Sequence, residues 1–514
     1  MLAAESVNVE EEQNIVASNS VYGFLRSGSK FIASFLLSIL FVRILGPTNY
    51  GIYTVAVLYW GFAATFSSLG LNSTLSYSVA RYRAQEKPGM IKWVLKHYLK
   101  VLVLSSFIAA VVLFMISGPL ASAYRTPELA ELLRILAIGL VFYSLNENFV
   151  NPIFTGKQKL KYGFITGVTY DAFRIVQLIV VYIGFKLIGA ITVYDVTYLA
   201  VATLGLFFVY RLFKSGDATS KPDKAEVKHL RHYSGFSYVG SLIGTISGPV
   251  ITLFLGFMAP NISDVSFYRV GLIMVGMLGL PASAMGSSFF ASITKFFEKK
   301  DMAGFYNLQR KLLKYSVLVT IPLVVASLIA IRPLIGYLYR FTFIGVQYPF
   351  MIMLIPIVLS SIFGPITQIL SATGKQKYWM YSTVSGSLAG IVSTLVLVPR
   401  FFAIGAAEAY VIVNITVLVL NLMFLKRLGM VSIHKSLPYL DLLKGFIAVT
   451  IMGVFLYYAI NFITNISLLP LILISGLVVY FFVLYSIKGI TKGDIRFFIK
   501  LLRADKFVRM FYKR

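Results

Sequence analysis

Long apolar runs alternate with short polar connections over almost the whole chain. Most runs reach the roughly 20 apolar residues that a helix needs to cross a bilayer. No connection is long enough to hold a soluble domain. The pattern therefore predicts an all-α integral membrane protein with about fourteen transmembrane helices. The predicted helices 1 to 14 occupy residues 21–45, 52–75, 94–117, 129–150, 162–185, 190–212, 233–258, 265–294, 312–331, 346–371, 379–398, 404–425, 441–462 and 467–487.

Three pairs of predicted helices are separated by only a few residues: 5 and 6, 11 and 12, and 13 and 14. Connections this short join neighbouring antiparallel helices. We therefore expect three helical hairpins within the bilayer.

The composition agrees with a membrane protein. Of 514 residues, 58% are hydrophobic and 13% are charged, and the mean hydropathy is +0.80. Soluble domains carry about 25% charged residues, so a soluble or disordered chain is excluded. The sequence has no cysteine, which excludes disulfides, thiolate metal sites and cysteine nucleophiles.

The formal net charge of +27 reflects membrane topology rather than nucleic acid binding. With the N-terminus placed inside, about 38 of the 47 basic residues fall in inside segments, as the positive-inside rule requires. This distribution of basic residues favours an even number of helices in a cell membrane, with both termini on the cytoplasmic side. Residues 1–20 begin with acidic residues instead of a basic signal region, so we expect an acidic cytoplasmic tail.

Three short motifs recur at nearly one offset. Gly23-Phe24 with Gly28-Ser29 returns at Gly235, the Thr155 to Lys159 stretch returns at Thr373, and Ile188-Gly189-Ala190 returns at Ile404. The offsets are 212, 218 and 216 residues, or six helices each time. An even number of helices makes the two halves parallel repeats about an axis along the membrane normal.

The repeats predict two six-helix lobes, an arrangement typical of transporters. Two C-terminal helices have no counterpart. The final segment mixes aromatic residues with nine basic ones, which indicates a basic amphipathic helix on anionic membrane lipids or a plain cytoplasmic tail. The predicted boundaries are 21–213 for the N-lobe, 214–232 for a cytoplasmic linker, 233–426 for the C-lobe, 440–487 for helices 13 and 14, and 488–514 for the tail.

Charged residues inside the bilayer are the candidates for function, because each is costly there unless it is paired or hydrated. Asp171 and Arg174 lie three residues apart on predicted helix 5, so they share a face. One interpretation is a structural ion pair that hides both charges between helices. The other is that Arg174 contacts an anionic substrate in a hydrated cavity while Asp171 tunes it or carries a coupling ion.

Weaker candidates lie nearer the helix ends. Arg26 and Lys30 share a face of helix 1, and either line the membrane cavity or snorkel to the inner surface. Arg269 is near the outer end of helix 8, where it is also suited to anchor the interface. Glu147 and Glu408 are the remaining acidic candidates, on helices 4 and 12.

The junction of helices 1 and 2 carries a specific signature. Residues 43–51 read Arg-Ile-Leu-Gly-Pro-Thr-Asn-Tyr-Gly. This stretch resembles the R-x-L-G-P-x-x-Y-G signature of polysaccharide-transporter flippases, which belong to the multidrug/oligosaccharidyl-lipid/polysaccharide exporter superfamily. Ser68 to Asn72 resembles the turn that follows in that family. The signature residues are Arg43, Gly46, Pro47, Tyr50 and Gly51.

The resemblance implies two lobes around a central cavity and alternating access. It also implies export of a polyprenyl-(pyro)phosphate-linked glycan from the cytoplasmic to the outer leaflet, for surface polysaccharide assembly. Arg26, Lys30, Arg174 and Arg269 would supply the cationic cavity. Such a transporter needs no cofactor beyond a coupling ion, Na⁺ or H⁺, and its partners would be membrane lipids and the glycosyltransferases or polymerase of the pathway, not nucleic acid.

Two other functions compete with this one. A drug or cation antiporter of the same superfamily would favour an acidic cavity, whereas the intramembrane charges here lean basic. A membrane-embedded glycan polymerase or transferase would need a large outer loop or a catalytic His and Asp cluster. The sequence holds four His, all in predicted cytoplasmic loops or helix ends, and no nucleotide-binding or hydrolase motif.

The absence of cysteine makes the topology directly testable. We expect a cysteine introduced at Ser220 to react with an impermeant maleimide only in inverted vesicles, and one at Ser263 only in intact cells or spheroplasts. Labelling of both positions from the same side would contradict the even-helix topology.

Overall fold

The computed structural model describes residues 2–214, 220, 222–298, 301–373, 375–430, 436–462 and 465–490. Side chains are described from Phe35 onward, except at 229, 236, 239–241, 243–247, 281–295, 297–298 and 371–372. Every regular element in these ranges is helical, which confirms the predicted all-α class. The chain forms two compact units, one of Met1–Arg269 with Thr394–Ala406 and the other of Val270–Ser393 with Ala407–Arg514. The predicted lobe and linker boundaries stay a prediction.

The helices follow the apolar runs of the sequence. Those up to residue 298 are α1 Leu2–Ser68, α2 Leu71–Ala84, α3 Pro88–Ala123, α4 Glu128–Ser144, α5 Asn151–Gly156, α6 Leu160–Val180, α7 Lys186–Phe213, α8 Lys224–Ser247, α9 Pro249–Met258 and α10 Ser263–Glu298. The later helices are α11 Met302–Ile329, α12 Ile331–Tyr339, α13 Gln347–Thr367, α14 Ile369–Ala372, α15 Gln376–Arg427, α16 Tyr439–Asn461 and α17 Leu469–Ser486. Nine helical stretches within the described ranges are long and apolar enough to cross a membrane.

Two of the longest helices, α1 and α15, contain reversals of the chain. In α1 the backbone leaves helical geometry at Gly46 (φ 75°, ψ 175°). The rings of Phe41 and Tyr53 then lie 4.8 Å apart, although twelve residues of straight helix would separate them by about 18 Å. In α15 the reversal is at Phe402, and Gly386 packs against Val417 beyond it.

The three predicted hairpins are confirmed by contacts between the two helices of each pair. The first is formed by α6 and α7, where Gln177 Nε2 donates to the Ala190 carbonyl at 2.6 Å. The two arms of α15 form the second. The third is formed by α16 and α17, where Leu456 packs against Gly476. In the same unit, the buried Tyr480 hydroxyl of α17 donates to the Leu318 carbonyl of α11 at 2.9 Å.

The signature stretch forms the turn between the two arms of α1 and packs against the start of α10. Gly46 takes the positive φ that glycine tolerates, and Pro47 opens the returning arm. The Ser266 hydroxyl donates to the Pro47 carbonyl. Gly51 lies directly against the Ile262 carbonyl, where a Cβ atom would clash. These residues therefore have structural roles, while Arg43 lies partly exposed one turn earlier.

The predicted second span, residues 52–75, is wrong as a continuous helix, because the helix breaks at Leu69 and Gly70 (φ 48° and 69°). The freed carbonyls are satisfied by α8. Ser234 Oγ donates to the Leu69 carbonyl at 2.7 Å, and the Tyr238 hydroxyl donates to the Phe66 carbonyl at 3.3 Å. A backbone carbonyl without a partner is costly wherever water does not reach it, so these donors support the break.

The repeated Thr155–Lys159 motif forms the turn between α5 and α6. Arg83 Nη1 donates to the Lys157 carbonyl and to Gln158 Oε1, both at 3.0 Å. Lys157 Nζ lies 4.7 Å from the centre of the Phe213 ring. Burial, followed by repulsion from Arg83 and Lys159, lowers the pKa of Lys157. The motif thus ties the end of α2 to the start of α6.

The break at Gly70 predicts a position-specific cost. Gly70→Ala places a Cβ atom at positive φ and 2.7 Å from the Tyr238 backbone nitrogen. We expect it to lower the free energy of unfolding by about 1–3 kcal/mol. Gly61→Ala is the matched control, since its Cβ meets nothing within 4 Å. Thermal melting of the two detergent-solubilised variants measures the difference, and equal melting would contradict the close contact.

Candidate transport site

Arg174 lies deep in the first unit among tyrosines. It is fourteen residues from the start of α6, or about 21 Å along the helix. Its Nη1 donates to the Tyr170 hydroxyl at 3.3 Å, and its guanidinium carbon lies 5.9 Å from the centre of that ring. Tyr53 and Tyr194 are close enough to interact with the guanidinium electrostatically. The guanidinium therefore has polar neighbours that carry no permanent charge.

An aromatic cluster continues from these tyrosines. Trp60 lies at its centre, with its ring 4.4 Å from Tyr143, 5.3 Å from Tyr194 and 5.6 Å from Tyr198. Tyr198 also reaches Tyr170 at 5.5 Å. The rings come from α1, α4, α6 and α7, so the packing of four helices fixes the position of the guanidinium.

Tyr50 of the signature connects two of the predicted cations. It is 6% exposed, and its ring stacks near Tyr53 at 6.3 Å. Both Arg269 and Arg174 lie near enough to interact with its hydroxyl electrostatically, Arg269 more strongly. Two of the four predicted basic cavity residues are thus brought to the same tyrosine. Two guanidiniums within range of one tyrosine are the groups that would bind a phosphate or pyrophosphate.

Two predicted acidic residues also meet in a pocket. Asp171 and Glu147 line a cavity of about 430 Å³, including its mouth, together with Tyr170 and Tyr198. Glu147 belongs to a π-helical segment, Leu145–Val150, that follows α4, and its Oε1 accepts from Asn146 Nδ2 at 2.9 Å. Such π segments in helices frequently mark functional sites. Two carboxyl groups and an amide suit a proton or a small cation.

The remaining predicted residues fall elsewhere. Arg26 and Lys30 lie outside the residues whose side chains are described. Glu408 belongs to the second unit, where it is partly buried. The ion pair predicted between Asp171 and Arg174 stays a prediction.

Sequence reasoning missed two features of the first unit. The first is the aromatic cluster, whose only sequence signal is tyrosine at positions 194 and 198, one turn apart on an apolar helix. The second is Asp195, an acidic residue inside α7 that packs against Gly139 of α4. Its Oδ1 is buried and has no hydrogen-bond partner within the described structure. Asp195 could have been found from the sequence, because it is a carboxyl group within an apolar run.

Comparison with known proteins identifies a family. Residues 16–285, more than half of the chain, match the family model described as polysaccharide biosynthesis protein. The chain is also 22% identical over 488 residues to an uncharacterized membrane protein of Methanocaldococcus jannaschii, covering 90% of this chain and 93% of that protein.

Two solved structures share the fold. The lipid II flippase MurJ, in an inward closed conformation, matches with a TM-score of 0.72 and 16% identity, covering 95% of this chain and all (100%) of that one. An inward-facing multidrug resistance MATE family transporter of the MOP superfamily matches with a TM-score of 0.61 and 17% identity, covering 79% and 96%. The fold is therefore that of an all-helical membrane transporter.

The contact between Tyr170 and Arg174 makes a testable contribution to stability. Tyr170→Phe keeps the ring but removes the acceptor at 3.3 Å. We expect the free energy of unfolding to fall by about 1 kcal/mol, since a partly buried guanidinium loses a hydrogen bond. Tyr182→Phe, whose parent side chain is 76% exposed, is the control. A Tyr170→Phe variant that melts like the control would show that the hydroxyl does not hold the guanidinium.

Proposed function

The chain belongs to the polysaccharide biosynthesis protein family, and on that premise we propose that it is a flippase for a polyprenyl-linked oligosaccharide. The cargo would move from the cytoplasmic to the outer leaflet of the cell membrane by alternating access. A phosphate with attached sugars does not cross hydrocarbon unaided. The protein would supply the polar path while the lipid tail stays in the bilayer.

The observation that carries this proposal is that Arg174 and Arg269 both lie within electrostatic range of the Tyr50 hydroxyl. Guanidiniums bind phosphate oxygens bidentately, and they remain charged at every physiological pH. Arg174 contacts phenols, which stabilise its position and add no negative charge of their own. This arrangement favours an anionic cargo over the cations that a drug antiporter would take.

We assign the acidic pocket of Asp171 and Glu147 to ion coupling. It lies beside Tyr170, the residue that also holds Arg174. Binding of Na⁺ or H⁺ there would change the field at the guanidinium, and so its affinity for phosphate. Coupling between the two sites would then give the direction of transport.

The lipid-linked cargo defines the partners of the flippase by their chemistry. Enzymes that transfer sugars to a polyprenyl phosphate must supply the substrate on the cytoplasmic side. A polymerase or transferase must consume the flipped product on the outer side. The basic C-terminal tail, which lies beyond the described residues, would hold the protein to anionic lipids.

A double variant separates the transport role of Arg174 from a structural one. In Asp171→Asn with Arg174→Gln, two neutral polar groups replace opposite charges, so no buried charge is orphaned. We expect this variant to accumulate normally and to lose transport of a labelled lipid-linked glycan in proteoliposomes. A loss of about 10-fold or more corresponds to one lost charged hydrogen bond.

Lys186→Gln is the matched control, because it neutralises an exposed basic residue at the turn of the same hairpin. It should transport like the wild type. Normal transport by the double variant would exclude contact between Arg174 and the cargo. The contrary outcome is that each single variant loses protein level and activity while the double variant recovers both. That outcome would show that Asp171 and Arg174 form a structural ion pair.

A further inference from the structure

A second pocket lies at the opposite end of the first unit from the signature turn. Its volume is about 940 Å³ including its wide mouth, and it opens between α2, α8 and the region of α5. We call this pocket the vestibule. The polar residues that define it are Asn72, Ser73, Ser76, Glu147, Asn151 and Thr155.

Two irregularities of the helices create the vestibule. The break at Leu69 and Gly70 ends α1 and restarts the chain as α2, whose first residues include Asn72 and Ser73. The π segment Leu145–Val150 and the new helix that follows it present Glu147 and Asn151. Both departures from regular helix thus supply residues to one polar pocket. Two separate deviations that converge on the same space indicate a built site rather than a packing defect.

An aromatic pair forms another wall. Tyr77 of α2 stacks on Tyr233 of α8, with ring centres 4.8 Å apart and planes 18° from parallel. Tyr233 is 38% exposed. Close by, the Arg81 guanidinium pairs with Glu226 at 3.4 Å, which holds the two helices together. The wall is therefore both rigid and amphipathic.

The chemistry of the lining selects a class of ligand. Amides, hydroxyls and one carboxyl group accept and donate many hydrogen bonds, and the tyrosines offer apolar ring surface. Among the described lining residues there is no Lys or Arg. The adjacent Arg81 reaches the Tyr77 hydroxyl at 3.5 Å and is paired with Glu226, so neutral hydrogen-bonding groups predominate in the lining. A neutral or amino-substituted sugar presents hydroxyls to such groups and C–H faces to the rings.

We propose that the vestibule binds the saccharide head of the cargo, an assignment that rests on the proposed flippase function. Glu147 lines both the vestibule and the acidic pocket. The acidic pocket also includes Tyr170, which lies one helical turn from Arg174. The sugar subsite thus shares Glu147 with the pocket that contains Tyr170, the residue that holds Arg174, and the two subsites would recognise the two parts of one lipid-linked sugar.

The arrangement assigns glycan selectivity to Asn72 and its neighbours and lipid phosphate affinity to the arginines. Asn72 comes from the turn of residues 68–72, whose geometry follows from the positive φ at Leu69 and Gly70. The vestibule gives the side chain that follows this turn a role in binding. Variation of the cargo sugar would then be accommodated at the vestibule without changes around Arg174.

The test compares two probes with the same polyprenyl chain, a bare polyprenyl phosphate and a polyprenyl phosphate that carries one hexose. Native mass spectrometry of the full-length protein in detergent measures both affinities. We expect the wild type to prefer the hexose-bearing lipid. Asn72→Ala combined with Thr155→Val should reduce that preference about tenfold, as expected for two lost hydrogen bonds, and should leave binding of the bare lipid within about twofold.

Two controls complete the design. Asn261→Ala removes an exposed amide at the other end of the unit and should retain the preference. Arg174→Gln should weaken binding of both lipids equally, so it should also retain the preference for the hexose-bearing lipid. Melting temperatures establish that each variant is folded, and Thr155→Val alone, at an exposed position, is the fallback if the double variant unfolds.

The outcomes separate this inference from the proposed function. Equal binding of the two lipids by the wild type, or an unchanged preference in the folded vestibule variants, would overturn the sugar subsite alone. Failure of the wild type to bind either lipid would overturn the flippase proposal, and the sugar subsite with it.

Discussion

The constraint on which the structure depends is the need to satisfy every backbone polar group inside hydrocarbon. Regular helices meet it internally, and every departure from helix requires a partner from elsewhere. The break at Leu69 and Gly70 is possible because Ser234 and Tyr238 of α8 donate to the exposed carbonyls. The turn at Gly46 likewise receives the Ser266 hydroxyl at Pro47. These two interruptions of helix are therefore located where α8 and α10 provide hydrogen-bond donors.

Much of the fold could be predicted from the sequence because its determinants are local. Apolar runs give the helices, and short connections such as the one before Lys186 give the hairpins. The break near Gly70 could not be predicted, because its donors lie some 165 residues away in sequence. The π segment around Glu147 was missed for a similar reason, since hydropathy does not distinguish π from α geometry.

The charged residues of the site could be predicted from the sequence, but the side chains that surround them could not. Arg174 could be predicted as a candidate functional residue because it is a charged residue in an apolar run. Asp171 was its predicted ion-pair partner because the two are three residues apart on one helix. The structure also surrounds the guanidinium with tyrosines from three helices, α1, α6 and α7. Sequence spacing cannot show contacts between Tyr53, Tyr170 and Tyr194, because these depend on how helices distant along the chain pack together. Asp195 escaped notice because it lacks a charged neighbour in sequence.

The aromatic cluster also gives the protein an intrinsic optical reporter. The chain holds three tryptophans, and their environments differ sharply. Trp379 is 43% exposed, Trp93 stacks on His97 with ring centres 4.8 Å apart, and Trp60 is buried among tyrosines at 2% exposure. Excitation absorbed by the surrounding phenols transfers to the indole of Trp60. Replacing the other two tryptophans would leave an emission spectrum that follows the packing around Arg174 without any attached dye.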